Sequence, residues 1–182
     1  MLARLFRLVR SGSAMPSALA FFAVLFLVSQ VSMMVVLAPV GVAHFIEMQT
    51  TLSPARFATL VENMYQRGVE TAYIAHFYYD WLHPLWYGGL LALLMARGFE
   101  RQAVPASRDW LLLAPFAAGL ADLVENSLHL YMVVDTANIS SPLVLVANGA
   151  ALCKWAVITV CVTTALVMLL KPAAPARKNP PT

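Results

Sequence analysis

The sequence predicts an all-α integral membrane protein: a four-transmembrane-helix bundle with one amphipathic surface helix. Three observations predict it. First, 60% of the 182 residues are hydrophobic and only 12% are charged, whereas a soluble domain is about 25% charged; the mean hydropathy is +0.72. Second, apolar runs at about 17–40, 71–95, 110–134 and 143–170 are each long enough to cross a bilayer. Third, residues 53–67 carry Phe57, Leu60, Val61 and Met64 at helical spacing, with Arg56, Glu62, Asn63 and Gln66 elsewhere on the wheel, which is the pattern of an amphipathic helix.

The elements follow in chain order. Arg4, Arg7 and Arg10 stand before the first run with no acid among them. The run 17–40 begins like a signal peptide, but it exceeds a signal core of about 7–15 residues and has no clean cleavage site, so it reads as a retained span. Its interior polar residues, Ser29, Gln30 and Ser32, suit hydrogen bonds to a neighbouring helix. Ser53 and Pro54 form a helix start and Gly68 a stop for the amphipathic segment, which should lie on the membrane surface or cap the bundle.

The second run contains HFYYDWLHPLWYGG. His76, Asp80, His83 and Tyr87 recur every three or four residues and form one stripe. Pro84 removes the amide that the carbonyl of Asp80 would use, so a bend is expected between them. Gly88 and Gly89 permit close approach of another helix. Residues 97–109 read as a short polar loop. The third run holds LADLVENSLHLYM at 120–132, in which Asp122, Glu125, Asn126 and His129 fall within an arc of roughly 100°. Lys154 lies near the middle of the fourth run, and 172–182 reads as a disordered tail. The two cysteines, Cys153 and Cys161, lack metal-site spacing. Most of the basic residues behind the pI near 9.1 flank apolar runs, so topology rather than nucleic acid explains them. The first 13 residues, the 97–109 loop and residues 171–182 hold nine of the twelve Lys and Arg. Four spans then put both termini in the cytoplasm.

Depth along the runs brings these residues together. Counted from the outer surface, Asp80 and His83 lie about one and a half and just over two turns deep, Glu125 about two and a half, and Asp122 and Lys154 about three. Buried charge is costly at about 2.5–3.5 kcal/mol per Asp or Lys, so Asp80, Asp122, Glu125 and Lys154 together cost around 10 kcal/mol unless they are compensated. Matched depth pairs Lys154 with Asp122. Asp80 and Glu125 are then protonated, face protonated His83 and His129, or hold a cation.

Those alternatives set the functional expectations. Asp80, His83, Glu125 and His129 are the candidate catalytic residues, with Glu125 the first choice for acid–base work on a lipid-soluble, isoprenoid-like or sterol-like molecule and His129 relaying its proton. Asp122, Asn126, Lys154 and Tyr87 are the candidate ligand-binding residues. The same His83, Asp80, Glu125 and His129 are the candidate ligands of a metal, or His83 and His129 of a haem; the residues do not select a cofactor. A third expectation is a proton-linked transporter, oligomeric because four spans are few for a carrier, or an accessory subunit whose polar cluster only joins helices. P-loop, rhomboid and HExxH patterns are absent, which sets aside nucleotide hydrolysis and the common intramembrane proteases. Asp80, Pro84 and Tyr87, followed by Asp122, Glu125 and Asn126 and then by Lys154 and Trp155, resemble a group of small bacterial four-span membrane proteins of unknown function. That resemblance covers about residues 68–155 and implies a fold but no activity.

Overall fold

The computed structural model describes residues 2–175, so most of the predicted tail lies outside the described residues. The described residues form eight α-helices: α1 (Leu2–Ser13), α2 (Pro16–Leu37), α3 (Val42–Thr50), α4 (Pro54–Arg67), α5 (Glu70–Asp80), α6 (His83–Arg101), α7 (Ala114–Val134) and α8 (Ser141–Leu170), with 3-10 turns at Ala106–Leu113 and Thr136–Asn138. There is no strand among the described residues. Three helical stretches are long and apolar enough to cross a membrane: Pro16–Leu37, Ala106–Val134 and Ser141–Leu170.

The second run differs from its expectation in a defined way. It is not one bent helix over 71–95 but two helices, broken at Trp81 and Leu82. The cause is local. Pro84 stands in the first turn of α6, where its missing amide is harmless, and the preceding turn closes tightly through Leu85 N–H to the Leu82 carbonyl. Asp80 and His83 are thereby brought to the two sides of a break in the middle of the bundle. The polar loop expected at 97–109 is also corrected: α6 continues to Arg101 and the chain turns back through a 3-10 helix starting at Ala106.

Helix α4 caps one end of the bundle. Ser53 accepts from the Arg56 amide, Pro54 opens the helix and Gly68 closes it at φ 64°, a backbone angle that costs glycine little. Its apolar face, Phe57, Leu60, Val61 and Met64, is buried with Tyr73, Phe77, Met132, Val133, Val144 and Ala147. Each of those four side chains contributes about 1.5–3 kcal/mol by leaving water. Between α2 and α4 lies α3, a helix not foreseen in the sequence, which packs on α8 and buries Met48 and Gln49.

A second apolar cluster fills the opposite end with Tyr87, Leu91, Met95, Phe99, Leu112, Ala118 and Cys161. There α1 lies against α6. Its Arg10 donates to Asp109 from Nε at 2.9 Å and from Nη2 at 2.5 Å, and Nη1 reaches Glu100 at 2.6 Å. The Asp109 hydrogen bond, against the burial that opposes it, holds this guanidinium above its ordinary value. The basic amino terminus is thus a docked helix as well as a topology signal.

The glycines of α6 set how closely the helices approach. A Cβ on Gly89 would run into the ring of Phe22 on α2, and one on Gly88 would stand 3.2 Å from Phe116 on α7. At Gly98 the obstacle is the Cβ of Met168 on α8, at 2.8 Å, which has no torsion with which to withdraw. Gly98→Ala is therefore expected to push α6 from α8 and destabilise by about 1–3 kcal/mol, the cost of overpacking. Denaturation in mixed micelles measures it; a loss below 0.5 kcal/mol, roughly the scatter of neutral surface changes, would show that the two helices separate freely.

Candidate functional site

Between the two apolar clusters lies a band of buried polar side chains. Along α7 the order is Ala118 in one apolar cluster, then Asp122, Glu125 and Asn126, then Met132 and Val133 in the other; along α8 it is Val144 and Ala147, then Lys154, then Cys161 and Ala165. The broken α5–α6 pair supplies Asp80 and His83 at the same level. The helical stripes of the sequence thus become one layer of the bundle, shielded from water at both ends.

Lys154 is the hub. Its Nζ lies 2.8 Å from Asp122 Oδ1 and 2.6 Å from Glu125 Oε2. Asp122 is the partner expected from depth; Glu125 is a second one that depth did not suggest. The contact to Asp122 has hydrogen-bond geometry, whereas that to Glu125 does not, so Glu125 is held there by charge. Tyr87 donates its hydroxyl to the other Asp122 oxygen at 3.2 Å. Glu125 Oε1 and Asn126 Nδ2 are buried without a hydrogen-bond partner. Three carboxyls, Asp80, Asp122 and Glu125, therefore share this layer with one ammonium group.

Asp80 stands apart from the lysine. It is 5% exposed, and its nearest cationic candidate is His76 Nε2 at 3.8 Å from Oδ2. His76 Nδ1 is bonded to the Tyr73 carbonyl, an acceptor only, so Nδ1 carries a hydrogen, and in the neutral ring Nε2 turns a lone pair towards Asp80.

The two other histidines are fixed by the same logic. Asn148 Nδ2 donates to the Thr51 carbonyl, so its Oδ1 accepts from His129 Nε2 at 2.7 Å. His129 Nδ1 then accepts from the Tyr73 hydroxyl at 2.9 Å. Both ring nitrogens of His129 are occupied, and the ring packs 5.2 Å from Phe57. His83 differs. Ser29 donates to the Phe26 carbonyl at 3.0 Å and accepts from His83 Nδ1 at 2.7 Å. His83 Nε2 has no hydrogen-bond partner in the described structure, and the ring stacks on Phe26 at 5.2 Å.

A cavity of about 860 Å³ opens beside this layer. Phe26, Met33 and Leu37 of α2 form one wall, and Trp155, Ile158 and Val162 of α8 the other, with Phe45 and Gln49 of α3 across one end. Helices α2 and α8 do not pack on each other as a pair, so the cavity is a lateral crevice between them. Asp80, His83, Tyr87, Asp122 and Lys154 border it.

The structure thus brings five of the eight sequence candidates to one cavity and leaves three behind it. Glu125 and Asn126 do not line the crevice; Glu125 is in contact with Lys154, which does. His129 shares a face with Glu125, but Tyr73 and Asn148 hold both its nitrogens, so neither nitrogen is free to bind a haem iron. No group of three or more His, Cys, Asp or Glu side chains is placed to hold a metal ion among the described residues, so the four proposed metal ligands do not form one site. The converse also holds: Tyr73, Gln49 and Asn148 take part in the layer, Gln49 by accepting from Trp155 Nε1 at 3.1 Å, and none carried a charge or a periodicity that would have marked it. Ser29 bonds a neighbouring helix as its place in an apolar run suggested.

Fold and site together define a class: a helical protein with three candidate membrane-crossing helices and a buried polar layer beside a lateral crevice. No protein-family model matches the chain, and neither curated proteins nor solved structures give a significant match.

Proposed function

We propose that the chain crosses a membrane four times, as α2, the α5–α6 pair, α7 and α8, with both termini cytoplasmic, and that it binds a hydrophobic small molecule or lipid in the crevice between α2 and α8. The observation that carries this reading is the crevice itself, about 860 Å³ with apolar walls and polar residues at its base, the composition of a ligand pocket. Three long apolar helices and the excess of Lys and Arg at one side of the bundle support the topology. Asp80, whose carboxyl stands 3.8 Å from His76 Nε2, and His83, with a ring nitrogen that makes no hydrogen bond, border the pocket, the equipment for general acid–base work on a lipid-soluble molecule. Glu125, buried behind Lys154, sets the charge felt at that surface.

The test is what accompanies the protein when it is extracted in native lipid. A hydrophobic compound enriched over bulk lipid should be found by mass spectrometry, and Ile158→Trp, which fills the crevice from α8, should deplete it severalfold while the protein stays folded. Equal content in both preparations would overturn the reading. A second reading, that the polar layer only joins helices, is favoured by the way Lys154 ties α8 to α7 and His129 ties α7 to α5 and α8. Under it, well-folded Glu125→Gln and Asp80→Asn variants would keep whatever accompanies the protein.

A further inference from the structure

We infer that the polar end of the ligand is a protonated amine, a long-chain primary ammonium compound seated on Asp80; this deepens the pocket reading above and rests on it. The argument is an inventory of donors and acceptors at the base of the crevice. Among the described residues Lys154 is the only lysine or arginine there, and it is in contact with Asp122 and Glu125 at 2.8 and 2.6 Å. The Tyr87 hydrogen is committed to Asp122. Asp80 makes no direct hydrogen bond among the described residues; His76 Nε2 stands 3.8 Å away and offers a lone pair in its neutral ring, and the one unused donor beside it is the side-chain amide of Asn126. His83, with Nδ1 bonded to Ser29, offers another lone pair from Nε2. What remains bordering the pocket is an imidazole nitrogen and the Asp80 carboxyl, both acceptors when Asp80 is ionised, in a layer whose excess of carboxyls over cations the neutral amide of Asn126 does not offset.

A buried acceptor without a donor is costly, and a buried carboxylate without a counterion more so. A primary ammonium group supplies three N–H donors and one positive charge, which answers both deficits. The rings of Phe26, Tyr87 and Trp155 border the same space, and aromatic faces favour a cation. A carboxylate or phosphate head would meet Asp80 and Asp122 and be repelled. For the same reason a free amine fits better than an aminophospholipid, whose phosphate lies close to its ammonium group.

Trp155 provides the readout. In a protein with Trp81, Trp86 and Trp110 replaced by phenylalanine, held in phosphatidylcholine nanodiscs, its emission is followed during titration with dodecylamine, dodecanol and dodecanoate. The amine should bind roughly tenfold tighter than the alcohol, a difference worth about 1.4 kcal/mol, and dodecanoate weakest. Asp80→Asn should bring the amine down to the level of the alcohol. Equal affinity for amine and alcohol, or tightest binding of dodecanoate, in the protein with Asp80 intact would overturn the inference and leave the pocket standing. Failure of all three to bind would overturn the pocket as well. Loss of amine binding when phosphatidylethanolamine replaces phosphatidylcholine would assign the site to a lipid headgroup and overturn the free amine.

Discussion

Lys154→Met is expected to destabilise the folded bundle by about 3–5 kcal/mol, because it leaves two buried carboxylates without a counterion. Asp122 and Glu125 are 2% and 0% exposed, so water cannot replace the ammonium group, and Tyr87 can satisfy only one oxygen of Asp122. Part of the cost arises whichever carboxyl takes up a proton in response. The change should be rescued in large part by the triple variant Lys154→Met, Asp122→Asn, Glu125→Gln. Replacing a whole buried ion group by neutral side chains of similar shape is often close to neutral, whereas removing one member is not. Unfolding in mixed micelles, read by circular dichroism, measures both. A single variant as stable as the parent would show that Lys154 does not compensate these carboxyls.

Asn148→Leu is expected to be the second most damaging change, at about 1–4 kcal/mol, since it orphans two groups, one buried at roughly 1–3 kcal/mol and one half-buried at less. One is the Nε2–H of His129, 1% exposed. The other is the carbonyl of Thr51, in the link between α3 and α4. The leucine matches the asparagine in size, so little of the loss would come from packing. A double-mutant cycle with His129→Leu separates the two losses: the pair should lose clearly less than the sum, because the histidine no longer needs an acceptor. Strict additivity would mean that the His129–Asn148 bond is not made. The outcome also bears on mechanism, since a His129 locked between Tyr73 and Asn148 holds α5, α7 and α8 together and stands away from the reacting end of any ligand.

These two residues mark the difference between what depth can say and what packing decides. Lys154 and Asp122 are opposite in charge and equal in depth, and their pairing follows from solvation alone. Glu125 lies nearly one turn from Asp122 on the same face, so it reaches the same lysine once α7 and α8 are in contact. Asn148 is neutral, sits in an apolar run and has no partner at matching spacing within its own helix; nothing about it is visible until α3 and α4 fold across the end of α8.

The sequence by itself determined the helical class, the position of the polar layer and several local structures. Ser53, Pro54 and Gly68 define α4 through backbone chemistry that needs no tertiary context, and Pro84 dictates a break near Asp80 because its ring removes an amide. The stripe from Asp122 to His129 follows from the helical repeat. Tertiary structure alone decided which neighbours each stripe meets. Periodicity fixes the direction of a side chain around its own axis and its depth along it, but not the rotation of the helix against the next one. Gly89 and Gly98 bring α6 close to α2 and α8, α2 and α8 are left apart, and the space between them makes Asp80 and His83 pocket residues while Glu125 and His129, equally polar and equally periodic, are enclosed behind.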